Sequence, residues 1–513
     1  MLPLPFPFRG LSAFSKVYLV LLLILFNTYA LLQIAPVNVS KLSSYKGFSP
    51  RPDRHIHRVF RLASENAAKP FGEVKDRFLF FRRNPALFLF VDEMFIRMGA
   101  RDIWPLQVFS VFLFNLGLLV CFAWIRRAFD SELMAVLSTG FLLSTPYLLA
   151  NSASIHSDPY HFLFFNLTLY SFTRYLEGGP DMQRWFGWTL LSYFVLCQNY
   201  WMFYVSTYLM LLALAYRKDQ LRWATAAWLT IPPIASFVLV AIQVVAVQGG
   251  LYEGYHRMAD IFVARTGDWR IPDAEWFPNQ RFLGRMTLNR YLGIVERNIA
   301  GIMGVSVKVL VAMLAGAVLL AGRQAWPRYR WLLLAVPAGL SWNIIMVQHT
   351  VIHEFTAQFG FFLWMLAVSL FFTELYRCFR PDRARLALVV LLAPVVITVF
   401  SHTYVPRLKH YAYCVATGES VRFGKRKRKK GRKRKKRKKR PKTGSKEIGC
   451  LIEGVPVRFT ADRREQPNRR PGPSRLPDRK RVYFGRGGAR PPAAANQGAL
   501  HRLRLLPALS GGH

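Results

Sequence analysis

Paired cysteine is the first thing this sequence lacks. Its five cysteines, Cys121, Cys197, Cys378, Cys414 and Cys450, are scattered without the close spacing of a disulfide framework or a metal knuckle, so cysteine chemistry plays no part in the reading. Acid is scarce as well, with 28 Asp and Glu against 70 Lys and Arg. That excess would suggest a nucleic-acid partner if it were spread over the chain. Much of it is packed into an almost unbroken basic run from Arg422 to Arg440, and the rest of the chain is far less basic, so no nucleic-acid partner is expected. Internal repeats and Gly/Pro-interrupted spans, the usual marks of a transporter, are not evident. A zinc site built on the two histidines His349 and His353 would need a third protein ligand, and no motif supplies one. No metal or other cofactor is therefore expected.

What the sequence has in abundance is apolar surface. Of its residues 52% are hydrophobic and 15% aromatic, and the mean hydropathy is positive at +0.18 despite the basic run. The apolar residues fall in blocks of about twenty separated by short charged loops, the length a helix needs to cross roughly 30 Å of hydrocarbon. Lipid cannot satisfy backbone N–H and C=O groups, which forces such blocks to be helical. The fold class expected is all-α: a polytopic transmembrane helical bundle of about eleven spans with external loops and a disordered basic C-terminal tail.

The first block, Val17 to Ile34, follows Arg9 and Lys16 and reads as a retained signal-anchor helix. Later spans are placed at Pro105 to Ile125, Leu133 to Ala150, Tyr160 to Leu176, Trp185 to Cys197, Trp201 to Tyr216, Trp223 to Val247, Gly301 to Ala321, Trp331 to Val347, Phe359 to Tyr376 and Leu386 to Tyr404. As one helix, Trp185 to Tyr216 would run about 48 Å, too long for a bilayer without steep tilt, so two short helices turning at Gln198-Asn199 are expected. With that parity every short basic loop faces the cytoplasm: Arg126-Arg127, Arg217-Lys218, Arg323 with Arg328 and Arg330, and Arg377 through Arg385. The opposite face receives four connections, Ala35 to Trp104, Ser152 to Pro159, Gln248 to about Ala300, and Gln348 to Gln358. These carry the polar residues of interest.

Two domains follow, a membrane domain over 1–413 and a basic tail over 414–513, where Pro, Gly and Arg without periodicity predict disorder. A polyanion- or headgroup-binding role for the tail and a spurious extension from GC-rich sequence both fit its composition.

Carboxylates and histidines next to span ends are costly unless solvated, paired or useful, which makes them the candidates. Asp53 lies in Ser49-Pro50-Arg51-Pro52-Asp53-Arg54-His55-Ile56-His57. Asp158 lies in His156-Ser157-Asp158-Pro159, which reads equally as an ordinary helix start. His349 and His353 stand four apart, with Glu354 next to the second, and would share one helical face. Interfacial packing is the plainer account of both histidines.

In this order of pieces the chain resembles the GT-C glycosyltransferases, the superfamily that includes protein O-mannosyltransferases and the aminoarabinose transferase of lipid A. The resemblance covers roughly Val17 to Leu176, with an echo near His349. It rests on a first span, Asp53 early in the first external loop, Arg82-Arg83-Asn84-Pro85-Ala86-Leu87-Phe88, an amphipathic segment leading into Phe95-Ile96-Arg97-Met98-Gly99-Ala100-Arg101-Asp102-Ile103-Trp104-Pro105, and Asp158 before the fourth span. Two pieces depart from the pattern: the first acidic pair reads Asp53-Arg54, and Asn84 stands where the family has His or Lys before proline. Asp92-Glu93 in the amphipathic segment is a rival acidic pair.

The resemblance implies transfer of a sugar from a polyprenyl-phosphate donor to a lipid, glycan or protein acceptor on the periplasmic or luminal face, in the inner membrane of a bacterium or the endoplasmic reticulum of a eukaryote. Such a reaction needs a base for the nucleophile and cationic contacts for the departing phosphate. Asp53 is assigned as base and Asp158 as the residue that orients the acceptor or holds a cation. Arg82 and Arg83 are assigned to the phosphate, and His55, His156, His349, His353 and Glu354 to substrate contacts. A transporter or flippase is the first alternative. An O-antigen ligase or polymerase is the second, kept open by His256, Arg257 and Arg265 in the late external loop.

Overall fold

The computed structural model describes residues 11–34, 60, 63–69, 87–101, 103–143, 145, 148, 152, 155, 157–266, 287–303, 306–322, 326–352, 360–378, 449–452 and 455–458. The chain divides into two units, Met1–Arg426 and Lys427–His513. In the first, every regular element among the described residues is a helix. In the second, the tail expected to be disordered contains a two-stranded antiparallel hairpin, β1 (Gly449–Ile452) with β2 (Val455–Arg458), in which Gly449 pairs with Arg458 and Ile452 with Val455.

Helix α1 (Ala13–Ile34) is followed by the short α2 (Leu87–Arg97) and by α3 (Trp104–Phe129). Pro105 starts α3 in its first turn, where the missing N–H costs nothing, and Asp130 ends it in a left-handed conformation at φ 49°. Next come α4 (Glu132–Leu143), α5 (Asp158–Leu176), α6 (Met182–Asn199) and α7 (Phe203–Arg217). The break between α6 and α7 falls on Tyr200, extended at φ −163°, ψ 136°, so the long apolar stretch is two helices, as its length demanded.

Helix α8 (Trp223–Gln248) runs unbroken through Pro232 and Pro233 and ends at Gly249 in a left-handed cap. The span read as Gly301 to Ala321 is divided instead between α10 (Leu288–Met303) and α11 (Val307–Ala321), with Ser306 capping the latter by accepting from the Val309 N–H. The connection read as a loop from Gln248 to Ala300 contains two helices, α9 (Leu251–Thr266) and α10. The first unit is completed by the turn α12 (Trp326–Tyr329), α13 (Leu332–Ile345), α14 (Val347–Ile352) and α15 (Gly360–Cys378). The segment read as a last span, Leu386 to Tyr404, lies outside the described residues.

Among the described residues, two helices can cross a membrane by length and composition, Trp104–Phe129 and Trp223–Ala246, and Ser15–Thr28, Glu132–Leu143 and Val307–Ala321 form shorter apolar helices.

Polar groups inside the bundle meet in pairs across helices, since an unpaired amide among apolar side chains is costly. Asn27 and Asn115 exchange side-chain hydrogen bonds of 2.8 Å between α1 and α3. The Thr168 hydroxyl donates to Ser192 at 3.0 Å between α5 and α6, and the Gln198 amide donates to the Ser236 hydroxyl at 2.9 Å between α6 and α8.

Among the described residues, all the ion pairs except Arg97–Glu93 gather at one end. Ser12 bonds to Glu132, Arg127 pairs with Glu177, and Arg330 pairs with Asp219. Glu374, buried on α15, is held by Arg328 at 3.3 Å and by Arg377 at 2.5 Å. Arg217 donates to the Ala128 carbonyl and lies 4.1 Å from the Phe129 ring centroid and 5.6 Å from that of Trp331. The four basic connections that the charge pattern assigned to one face, together with the one at Glu177, are therefore tied to one another by direct contacts.

Helix α5 owes its position to a close approach on α3. A Cβ added at Gly117 would lie 2.5 Å from the Phe162 ring and 3.3 Å from the Leu163 Cα, so only glycine lets the two helices come this near. Gly117→Leu is expected to cost about 1–3 kcal/mol through overpacking. Gly187→Leu, at a glycine with open space around it, is the control that should leave stability unchanged. Thermal unfolding in detergent reads both.

Candidate functional site

The end away from the ion pairs is built from helix starts and breaks. Helix α5 begins on Asp158, with Pro159 in its first turn and the Asp158 carboxylate buried at the helix N-terminus, where the macrodipole favours negative charge. Three residues on, and so on the same face, lies His161, which is 3% exposed.

The His161 ring packs 4.6 Å from Phe203 and 5.6 Å from Tyr200, the residue on which α6 breaks before α7. Tyr200 in turn lies 6.4 Å from Trp342 on α13, and Trp342 lies 5.6 Å from His349 on α14. A continuous run of rings thus leads from the first turn of α5 to α14. Two of the residues singled out in the sequence, Asp158 and His349, stand at the two ends of this run.

His349 is held in a defined state. The Trp342 Nε1–H donates to His349 Nδ1 at 3.1 Å. An indole N–H can only donate, so Nδ1 accepts and the imidazole proton sits on Nε2. The surrounding backbone is fastened by α10, whose Asn298 amide donates to the Thr350 carbonyl at 2.9 Å and whose Tyr291 hydroxyl donates to the Asn343 carbonyl.

The same end includes α2. Phe95 packs 4.8 Å from Phe109 on α3, and Phe109 lies 6.4 Å from Tyr160 on α5. Arg97 anchors the helix: its Nε donates to the buried Glu93 at 2.9 Å, and its Nη2 donates to the carbonyls of Asn66 at 3.0 Å and Lys69 at 2.7 Å. The other acid of the pair behaves differently. Asp92 is 4% exposed, and its Oδ2 has no hydrogen-bond partner among the described residues. Desolvation pushes the Asp92 carboxyl well above the usual carboxylate range. It is close enough to the Tyr160 phenol for the two to interact electrostatically.

Of the residues proposed from the sequence, Asp53, His55, Arg82, Arg83, His156, His353 and Glu354 lie outside the described residues. Asp158 and His349 are described and are linked as above. Three members of the ring path, His161, Tyr200 and Trp342, were not singled out. His161 could have been found from its three-residue offset from Asp158. Tyr200 and Trp342 sit at or before helix breaks, where helical periodicity carries no information across the gap. Among the described residues no group of three His, Cys, Asp or Glu side chains gathers to hold a metal ion.

No protein-family model matches the chain. No curated protein is significantly similar to it.

Removing Arg97 would leave Glu93 buried without its counter-charge and release α2 from the 66–69 segment. Arg97→Ala should destabilise the protein by on the order of 3 kcal/mol. Amide exchange over α2 should rise, with Arg97→Lys intermediate because it keeps the charge and loses the fork that spans two carbonyls. Hydrogen exchange resolved over 87–97 distinguishes these outcomes.

Proposed function

We propose that the chain is a polytopic helical membrane glycosyltransferase of the GT-C type, transferring a sugar from a polyprenyl-phosphate donor to an acceptor at the external membrane face. The observation that carries the reading is the gathering of Asp158, His161, Tyr200, Trp342 and His349 at one end of the helices while the basic connections gather at the other. Under the positive-inside rule the basic end is cytoplasmic, so the acid and the histidines open toward the periplasm or lumen. Eleven spans, with the last over Leu386 to Tyr404, are part of this proposal, as is location in a bacterial inner membrane or the endoplasmic reticulum.

The chemistry follows from what such a transfer requires. The acceptor oxygen attacks the anomeric carbon and loses its proton to a carboxylate, assigned to Asp53, while the bond to the phosphate breaks and the phosphate leaves with the electron pair. Asp158 orients the acceptor from the first turn of α5 or holds a cation there. His349, with its proton on Nε2, can give that proton as a hydrogen bond to a sugar or phosphate oxygen. Arg82 and Arg83 are the proposed contacts for the departing phosphate, with His55, His156, His353 and Glu354 around the substrate. The order of sequence pieces from Val17 to Leu176 supports the donor class.

Purified protein reconstituted in liposomes with radiolabelled polyprenyl-phosphate sugars should consume donor. Asp53→Asn and Asp158→Asn should each lower turnover by about a hundredfold or more. His349→Ala should lower it less and chiefly through KM. Unchanged turnover in both Asn variants would remove the catalytic assignment, and donor crossing the bilayer without transfer or hydrolysis would favour a flippase.

A further inference from the structure

Helix α2 contains two adjacent acids in opposite circumstances. Glu93 is paired with Arg97, whereas Asp92 is equally buried and its Oδ2 is left without a partner. An unsatisfied buried carboxyl costs stability, and replacing such a group by an apolar side chain of similar size is neutral or stabilising in general. A group held at that cost fits a site whose partner is absent from the protein alone.

Its place in the fold says where that partner would be. Asp92 is near enough to the Tyr160 phenol, on the first turn of α5, for the two to interact electrostatically, and Tyr160 stands between Asp158 and His161. Phe95 of α2 packs on Phe109 of α3, and Phe109 in turn meets Tyr160, so α3 holds α2 near this turn. Phe90, on the same short helix, is 40% exposed, so one side of α2 faces the surroundings while Asp92 faces inward.

We propose that Asp92 is a ligand-binding residue that hydrogen-bonds a phosphate oxygen of a lipid-linked phosphate entering between α2 and the start of α5. This rests on the donor class inferred above and adds a residue to its site. Desolvation favours the protonated carboxyl, which has an O–H to donate, whereas a carboxylate would repel a phosphate. A neutral carboxylic acid kept as a hydrogen-bond donor toward negative charge is a known use of an apolar pocket. An amide has the same capacity to donate, and leucine has none.

Binding of radiolabelled polyprenyl phosphate to the full-length protein in phosphatidylcholine nanodiscs tests this. Asp92→Leu should bind about tenfold more weakly or worse, with a thermal unfolding temperature at or above that of the unsubstituted protein. Asp92→Asn should bind within a few-fold of the unsubstituted protein. As pH rises through the raised range of Asp92, binding by the unsubstituted protein should fall further than binding by Asp92→Asn. Glu93 and Arg97 on α2, and Asp158, Tyr160 and His161 on α5, are common to both proteins, so the difference between the two profiles belongs to Asp92.

Inorganic phosphate that competes fully identifies the phosphate group alone as the ligand, and absence of competition identifies its lipid-attached form. Equal binding by Asp92→Leu overturns the proposal, as does an Asp92→Asn defect as deep as that of Asp92→Leu. Should Asp92→Leu not fold, identical pH profiles for Asp92→Asn and the unsubstituted protein overturn it. If the unsubstituted protein binds no polyprenyl phosphate, the donor class itself is wrong and this assignment falls with it.

Discussion

Charge can be buried among helices only where an opposite charge, a carbonyl or an aromatic face meets it, and that constraint sorts the described part of this protein. Glu374 lies inside because Arg328 and Arg377 both reach it. Arg217 lies inside because the Ala128 carbonyl and the Phe129 and Trp331 rings receive it. All of these contacts except the i,i+3 pair of Glu374 with Arg377 join residues distant in sequence, so they also decide which helix ends lie together. Among the described residues the other end has the Arg97–Glu93 pair. There, hydrogen bonds such as Trp342 to His349 and ring contacts such as His161 on Phe203 hold the described side chains.

Between the two ends the helices are positioned by close approach more than by charge. Gly117 brings α5 onto α3, and the Thr168–Ser192 and Gln198–Ser236 bonds fix α6 beside α5 and α8. The start of α5 therefore does not float on a loop. Asp158 and His161 are delivered from a helix whose packing extends along its length, and the break at Tyr200 places an aromatic side chain against them.

The parts of this arrangement that were legible in the sequence are those governed by long-range regularities. The division of the stretch from Trp185 to Tyr216 into two helices followed from length alone, and the break at Tyr200 is within two residues of the expected turn. The shared end of the basic loops followed from where arginines cluster. The helices α9 and α10 were read as loop, because their alternation of exposed Leu251, Tyr252 and Tyr255 with Glu253 and His256 lowers the mean hydropathy below that of a span while the backbone stays helical. Asp158 and His349 were legible as acids and histidines beside apolar blocks. Their connection was not, since it passes through Tyr200 and Trp342, two aromatic residues that any reading by composition assigns to interfacial anchoring.

Asp92 shows why burial, rather than residue type, separates the two acids of α2. In sequence Asp92 and Glu93 are one acidic pair and invite one explanation. In the fold, one turn of helix brings Arg97 to Glu93, as the i,i+4 offset requires, while the residue four after Asp92 is Ile96, which can offer it nothing. The unpaired acid is thus a direct consequence of helical geometry acting on this particular order of residues. Selection for stability alone has an easy remedy for an orphaned buried carboxyl, since any apolar side chain of similar size removes the cost. The cost of that buried oxygen, near the first turn of α5, is the observation from which the proposal for Asp92 is argued.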